Sequence, residues 1–349
     1  MTTVPHRGDC GTVPQVRYVI IGAGAVGGTI GGLLHEAGRE VVLVARGAHL
    51  AAMREHGLHL TTPAGSRLVP APTAAGPDEV ELRTGDVLVL AVKSQDTAAT
   101  LAAWADRPVD GDPERTAAQE LLLVLAQNGV DNERTALRRF NRVAGMCVWL
   151  PATFLEPGRV SAAGSPMVGV LTLGTVPTSD PTDDALAEVS TDLIAAGFGA
   201  PVVPDVLAWK YAKLLSNLGN AVEALCGPLR GNEAARELLG AAVSEAEKVL
   251  SAAGIVWTSD ADQAAAREGF TLVDLPGQPR GGGSTWQSLQ RGAGSVEANW
   301  LNGEIVLLGR LHGVPAPVNA VLLRRVEQAS ATGQGAGGHD AAALLAEAR

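Results

Sequence analysis

Cysteine is sparse in this chain of 349 residues: Cys10, Cys147 and Cys226 cannot all pair within it, and their spacing matches neither a zinc knuckle nor a disulfide framework. Reduced thiols and a cytoplasmic location are the expectation. Basic charge is also short. Lys and Arg number 27 against 37 Asp and Glu, a formal net charge of -10, which argues against nucleic acid or an anionic membrane surface as a partner. No uninterrupted apolar stretch is long enough to span a bilayer. Residues Met1 to Gln15 have no apolar core and read as a loose tail rather than a signal peptide. His56 and His59 are the only closely spaced histidines. Gly57 separates them and no third ligand is near in sequence, so no metal is expected. There is no internal repeat.

What is present is globular. Hydrophobic residues make up 46% and charged residues 18%, in a chain long enough for two domains with separate cores. From Arg17 to about Pro204, strand-like runs alternate with helical or loop segments: Val19 to Ile21, Val41 to Ala45, Val87 to Val92, Leu121 to Ala126, Ala144 to Leu150 and Val168 to Gly174. That alternation predicts an open, mostly parallel sheet covered by helices. The stretch Ala105 to Arg115 reads as a polar loop. From Asp205 the pattern turns helical, over Val206 to Leu225, Glu233 to Ala253 and Val296 to His312, with Pro315 and Pro317 opening another helix. The fold class expected is α/β, a Rossmann-type doubly wound sheet followed by an all-helical domain. The expected boundaries are a flexible tail at 1–15, a dinucleotide-binding domain at 16–204, a helical substrate domain at 205–330 and a mobile glycine-rich tail at 331–349. In that tail, Ala341 to Ala348 can form a short helix. Apolar faces such as Val306 to Leu311 could pack internally or across a homodimer.

The glycines Gly22, Gly24 and Gly27, in Gly22-Ala23-Gly24-Ala25-Val26-Gly27, lie between an apolar strand at Arg17 to Ile21 and a helix at Ala25 to Glu36. Gly38 stops that helix and Val41 to Ala45 is the next strand. One glycine permits the tight turn, one lets a pyrophosphate approach, and one lets the helix pack closely. The helix N-terminus then offers free N–H groups and a positive dipole end to phosphate. At the end of the second strand, where an NAD site would usually carry an acid, stands Arg46, with Gly47 and His49 following. An arginine attracts a 2'-phosphate, so NADPH is expected over NADH.

Three further features carry chemistry. Lys93, with Ser94 and Gln95, and Gln127-Asn128-Gly129 follow apolar runs, and ligands in doubly wound sheets sit beyond the carboxyl ends of strands. In the helix after Asp205, Lys210, Lys213, Asn217 and Asn220 recur at i+3, i+4 and i+7 on a face apart from the apolar stripe. Asparagine costs roughly half a kcal/mol relative to alanine inside a helix, so two beside a lysine suggest a surface selected for hydrogen bonding. Finally, Ser284, Glu297, Asn299 and Asn302 accompany the apolar Trp300-Leu301 and Ile305 to Leu308.

In order along the chain, Gly-Ala-Gly-Ala-Val-Gly27, Val92-Lys93, Gln127-Asn128-Gly129, Trp209-x-x-x-Lys213-x-x-x-Asn217, Glu297, Asn302-Gly303 and His312-Gly-Val-Pro315 resemble the ketopantoate reductases (2-dehydropantoate 2-reductases), from about Arg17 to Arg325. The resemblance implies NADPH-dependent reduction of a small 2-oxo acid, ketopantoate, in a cleft between the two domains. It implies Lys213 as the catalytic lysine, Asn128 beside nicotinamide and substrate, and Asn217 and Asn220 on the substrate's polar groups. It also places Ser284 on the carboxylate, Glu297 by the cofactor end or ordering the site, Lys93 with the cofactor, and Arg46 on the 2'-phosphate. Two departures stand out. Asn220 falls three rather than four residues after Asn217. The segment Ser284 to Arg291 lacks the family's aspartate and carries a bulky Trp286. A reductase of another ketone or imine in specialised metabolism, and a non-catalytic NADP-sensing protein, therefore stay open as alternatives.

Overall fold

The computed structural model describes residues 16–177, 184–275, 282–290, 292 and 296–349. Cys10 and Arg291, and the tail expected at 1–15, lie outside the described residues. The chain runs β1 (Arg17–Ile21), α1 (Ala25–Glu36), β2 (Glu40–Val44), α2 (Gly47–His56), β3 (Leu58–Thr62), β4 (Gly65–Val69), β5 (Thr73–Ala74), β6 (Val87–Leu90) and α3 (Thr97–Ala105). It continues through β7 (Pro108–Val109), β8 (Asp112–Thr116), α4 (Ala117–Glu120), β9 (Leu122–Leu125), α5 (Asp131–Ala136), β10 (Arg142–Trp149), β11 (Ala152–Glu156), β12 (Arg159–Ala162), β13 (Gly164–Ser165), β14 (Val170–Val176) and α6 (Asp184–Ala195).

Seven strands form one sheet in the order β14-β10-β9-β6-β1-β2-β5. Its pairings are parallel except that β14 runs antiparallel to β10 at the edge. β1, β6 and β9 are buried at every position, as continuous apolar runs in a sheet covered on both faces should be. Alternation sends Tyr18 and Ile20 to one face and Val19 and Ile21 to the other. The first face is covered by α1 and α6, through Ile30, Leu34, Leu186 and Leu193. The second is covered by α3, through Leu101 and Trp104.

A second sheet, β11-β12-β3-β4, has no counterpart in the expected pattern. It lies against the other side of α1: Gly31 of that helix faces Leu43 and Ile20 of the large sheet, while Gly32 faces Leu60 and Leu58 of the small one. Small residues on both sides let one helix sit between two sheets. The expected loop at Ala105 to Arg115 is also corrected. It is the end of α3 and the hairpin β7–β8, turning at Asp110 and Gly111, both with positive φ.

The helical half comprises α7 (Val206–Asn217), α8 (Gly219–Cys226), α9 (Glu233–Ala252), α10 (Asp260–Ala265), the short β15 (Thr271–Leu272), α11 (Ser284–Gln290), a 3-10 turn (Glu297–Trp300), α12 (Asn302–His312), α13 (Pro317–Thr332) and α14 (Ala341–Glu347). Two helices expected to be continuous are divided. The first breaks at Leu218, between two poor helix formers, Asn217 and Gly219. The second breaks at Leu301, whose φ of -115° and ψ of -90° separate the 3-10 turn from α12. Among the described residues no helix is long and apolar enough to cross a membrane.

α7 does not belong to the helical half alone. Val206 is fully buried in the core of the large sheet, seated over Gly145 of β10 and Gly174 of β14, where a Cβ would come within 3.0 and 2.8 Å of its side chain. Farther along, Tyr211, Leu214 and Leu218 pack with Val249 of α9 and Ile305 of α12. One rigid helix therefore carries the lysine face from the sheet into the helical half.

The 331–349 segment, expected as a mobile tail, is packed instead. Gly337 and His339 donate backbone N–H groups to the carbonyls of Ala224 and Leu225 at 2.8 and 3.0 Å, and Leu344 of α14 is 4% exposed in the core with α8, α9 and α13. Arg325 pairs with Glu347 at 2.7 Å. Leu344→Ala should lower stability by about 2–5 kcal/mol, read as a lower urea midpoint. A wild-type midpoint would mean that the docked tail contributes nothing to folding.

Candidate active site

The glycine loop between β1 and α1 is shaped by close approaches. Gly22 has a φ of +103°, and a Cβ there would lie 2.8 Å from the backbone N of Val92. Its N–H and that of Ala23 both donate to the carbonyl of Val44, at 3.1 and 2.9 Å. A Cβ at Gly27 would sit 2.2 Å from the carbonyl oxygen of Gly22, so this position holds the helix against the strand. Gly24 caps α1 and has nothing within 4 Å of a Cβ. With Ala25 and Val26 it opens onto a cleft of about 700 Å³. A bare helix N-terminus facing open space is the cradle a pyrophosphate requires, and the residues present fit a dinucleotide.

Arg46 is exposed just beyond β2, at the N-cap of α2. It does not line the cleft, but α2 is tied to the glycine loop by His49. The N–H of Gly158, in the turn between β11 and β12, donates to His49 Nδ1 at 2.8 Å. Nε2 therefore carries the proton and donates to the carbonyl of Ala23 at 2.7 Å. Burial pushes the imidazole pKa down, against the raising effect of the Ala23 bond, which favours this neutral form. Its ring meets Phe154, on the cleft wall, edge-on at 4.9 Å. The sequence alone marks His49 only as a neighbour of Arg46.

The strand ends beyond β6 and β9 come together with the helical half. Lys93 Nζ donates to Ser288 Oγ of α11 at 3.2 Å. The backbone N–H and hydroxyl of Ser94 donate to Glu297 Oε1 at 3.2 and 3.3 Å, which fixes the start of the 3-10 turn against β6. Gln127 donates to the carbonyl of Val92 and to Thr97 at 2.8 Å each. Asn128 then projects into the cleft, its backbone carbonyl accepting from Asn132 at 3.0 Å.

Opposite it stands Lys213 of α7, 9% exposed. Its Nζ donates to Asn128 Oδ1 at 2.6 Å and lies 5.3 Å from the centre of the Trp149 ring, whose indole N–H donates to Gln263 Oε1 at 3.2 Å. Burial pushes the pKa of this ammonium down to about 8. Lys210 and Arg267 add repulsion, while Cys147 and Glu297 act in the opposite direction. Trp149 is a site residue that the sequence pattern does not single out, although its place at the carboxyl end of β10 is the same signal that marks Lys93 and Asn128.

Asn217 lines the cleft one turn after Lys213. Asn220 is the second residue of α8, and its Nδ2 donates to Ser284 Oγ at 3.4 Å. The N–H of Gly283 donates to Glu223 Oε2 at 2.7 Å. The shortened spacing thus still brings Asn220 to the cleft: seven residues after Lys213, it lies about 20° from it around the helix axis.

Three residues that the sequence pattern groups with the site are placed elsewhere. Lys210 shares a helix with Lys213 but turns inward, to Glu133. Asn302 is fully buried and donates to Asn319 Oδ1 at 3.0 Å, inside the helical half. Asn299 is exposed. Trp286 packs on the core of the helical half and does not line the cleft, whereas Ser284, Gln287 and Ser288 do. The bulk of Trp286 therefore does not narrow the site.

Residues 18–177 match the model of the ketopantoate reductase PanE/ApbA family, and residues 205–330 match the model of that family's C-terminal part. A 2-dehydropantoate 2-reductase of Pyrococcus horikoshii is 25% identical over 326 residues, covering 92% of this chain and 99% of its own length. One from Archaeoglobus fulgidus is 28% identical over 316 residues, 89% and 96% of the two chains. Among solved structures, a PanE/ApbA family ketopantoate reductase from Ralstonia eutropha JMP134 superposes with a TM-score of 0.73 at 29% identity, covering 92% of this chain and all of its own. A D-mandelate dehydrogenase solved with NADH and anilino(oxo)acetate shares the fold, with a TM-score of 0.75 at 21% identity over 91% of this chain and 99% of its own. The glycine loop, the strand-end asparagine and the lysine helix thus sit in a chain that belongs to the ketopantoate reductase family.

Proposed function

We propose that this protein reduces a 2-oxo acid to the 2-hydroxy acid with NADPH, ketopantoate to pantoate as the family name implies. The observation that carries the reading is the buried Lys213 ammonium, held 2.6 Å from Asn128 at the floor of the cleft that Gly24 opens onto. When bound, NADPH supplies a hydride to the ketone carbon. Negative charge then develops on the ketone oxygen, and an ammonium within hydrogen-bond reach stabilises it and can deliver the proton. Lys213 would take that position, with Asn128 fixing its direction. Its lowered pKa keeps the proton on at neutral pH yet eases its release.

Asn217, Asn220 and Ser284 would take the substrate's carboxylate and hydroxyl. Lys93 and Glu297 would order the cofactor end, and Arg46 would hold the 2'-phosphate from the rim. The imine-reductase and NADP-sensor readings are not favoured by the relatives, which carry the ketopantoate reductase name along most of the chain. A cytoplasmic location fits the free thiols of Cys147 and Cys226, and a homodimer through the outward-facing Leu307 and Leu311 of α12 belongs to the same proposal.

Lys213→Ala should lower kcat for ketopantoate by roughly 10²–10⁴-fold, followed by NADPH absorbance, with NADPH affinity by fluorescence titration close to wild type. Turnover at the wild-type rate refutes the assignment. Because the donor must carry its proton, wild-type kcat/KM for ketopantoate should be flat below about pH 8 and fall as pH rises through that value. Loss of Arg46 should act on the cofactor alone. Arg46→Ala is expected to raise KM for NADPH roughly 10–100-fold, the worth of a charge-assisted hydrogen bond, and to leave KM for NADH unchanged. Equal effects on both cofactors would remove Arg46 from the 2'-phosphate site.

A further inference from the structure

We propose that Lys210 and Glu133 form a positioning pair beneath the active site, locking the Gln127–Asn128 strand end to α7 and setting a fixed second cation one helical turn behind Lys213. The inference rests on the proposed role of Lys213.

Lys210 Nζ lies between two partners, the carboxylate Oε1 of Glu133 and the backbone carbonyl of Gln127, the latter at 3.1 Å. Both side chains are out of solvent, 2% exposed for Lys210 and 0% for Glu133. Glu133 sits on α5, the helix that follows the Asn128-Gly129-Val130 loop. The pair therefore ties together the residue before Asn128, the helix after it, and the helix that carries Lys213. Gly145 of β10 makes the room: a Cβ there would come within 3.3 Å of Glu133 Oε1.

Stability is a poor explanation for such a pair. Two charges withdrawn from water recover little more than their desolvation cost unless every lone pair is met, and Glu133 Oε2 has no hydrogen-bond partner among the described residues. Position explains it better. Asn128 Oδ1 must meet Lys213 Nζ, and the Lys210 bond to Gln127 holds the backbone one residue away.

The charge of Lys210 has its own effect. The groups acting on Lys213 are Cys147 from β10, Lys210 from its own helix, Glu297 from the 3-10 turn and Arg267 beyond α10. Burial pushes the Cys147 thiol pKa up, so it is neutral at pH 7. Burial is the largest cause of the lowered Lys213 pKa, and Lys210 and Arg267 are the two cations that push it further down.

Lysine occurs at four positions, Lys93, Lys210, Lys213 and Lys248, so the full chain labelled with ¹³C,¹⁵N-lysine gives a spectrum in which each side chain can be followed against pH. Lys213→Arg identifies the Lys213 signal. In Lys210→Met/Glu133→Gln, which removes both charges together and frees the Gln127 carbonyl, the Lys213 midpoint should leave its wild-type value of about 8. kcat at pH 7 should fall roughly ten- to a hundred-fold, the cost of a misplaced catalytic partner, with KM for NADPH unchanged. A folded variant in which either the midpoint or kcat stays at its wild-type value overturns the proposal. Should that variant not fold, Lys210→Gln/Glu133→Gln, whose two amides can bond each other, carries the same expectation. If wild type itself turns over no 2-oxo acid, the reductase reading fails, and the midpoint shift alone then decides whether Lys210 acts on Lys213.

Discussion

An ammonium held at 9% exposure costs several kcal/mol in lost hydration, and the site around Lys213 is organised to offset that cost without neutralising the charge. Asn128 Oδ1 accepts one hydrogen bond at 2.6 Å, and the face of Trp149 offers a weaker electrostatic attraction at 5.3 Å. No carboxylate forms an ion pair with it among the described residues. A carboxylate there would hold the proton and quench the charge on which the proposed role of Lys213 depends. An amide oxygen and an aromatic face stabilise the cation only partly, and burial holds its pKa down at about 8.

That arrangement works only if two strand ends and a helix keep register. Val206 anchors the first turn of α7 over Gly145 and Gly174, and from there the rigid helix carries Lys213 to its place opposite Asn128. The other bonds across the cleft, Lys93 to Ser288 and Ser94 to Glu297, lie at 3.2 to 3.3 Å and are partly buried. The Arg134–Glu304 pair adds a link at 2.7 Å, with Glu304 4% exposed. Burial raises the Glu304 pKa, and the nearby Arg134 opposes that rise. Lys210 to Glu133 and the β13–β15 pairing join the same two halves, so α7 is one of several ties between them.

The glycine unit is legible in the sequence because its rules are local: a buried strand, three glycines at fixed offsets and a small-residue helix specify one another within about thirty residues. β3 and β12 are not legible, since they pair in parallel across about a hundred residues and neither carries a long apolar run. Asn302 misleads because an asparagine beside an apolar helix reads alike whether it faces a ligand or, as here, Asn319 in the interior. Trp286 misleads in the opposite sense, since its size suggests a narrowed pocket while α11 turns it into the helical core. At 331–349, glycine content speaks for mobility, but Leu344 and the Arg325–Glu347 pair dock the segment.

Lys210 shows where periodicity alone stops. Around the axis of a helix Lys210 lies about 60° from Lys213 and only about 20° from Asn217, so rotation does not set it apart; its place one turn earlier, nearer the end of α7 that Val206 seats on the sheet, does. On an isolated helix that offset is trivial, and all of these side chains share a polar face. Against the first half it is decisive, because one turn along α7 carries the ammonium from Asn128 to Glu133 and the Gln127 carbonyl. Two lysines of identical chemistry, one turn apart, are thereby given opposite environments, one with a buried counter-charge and one without.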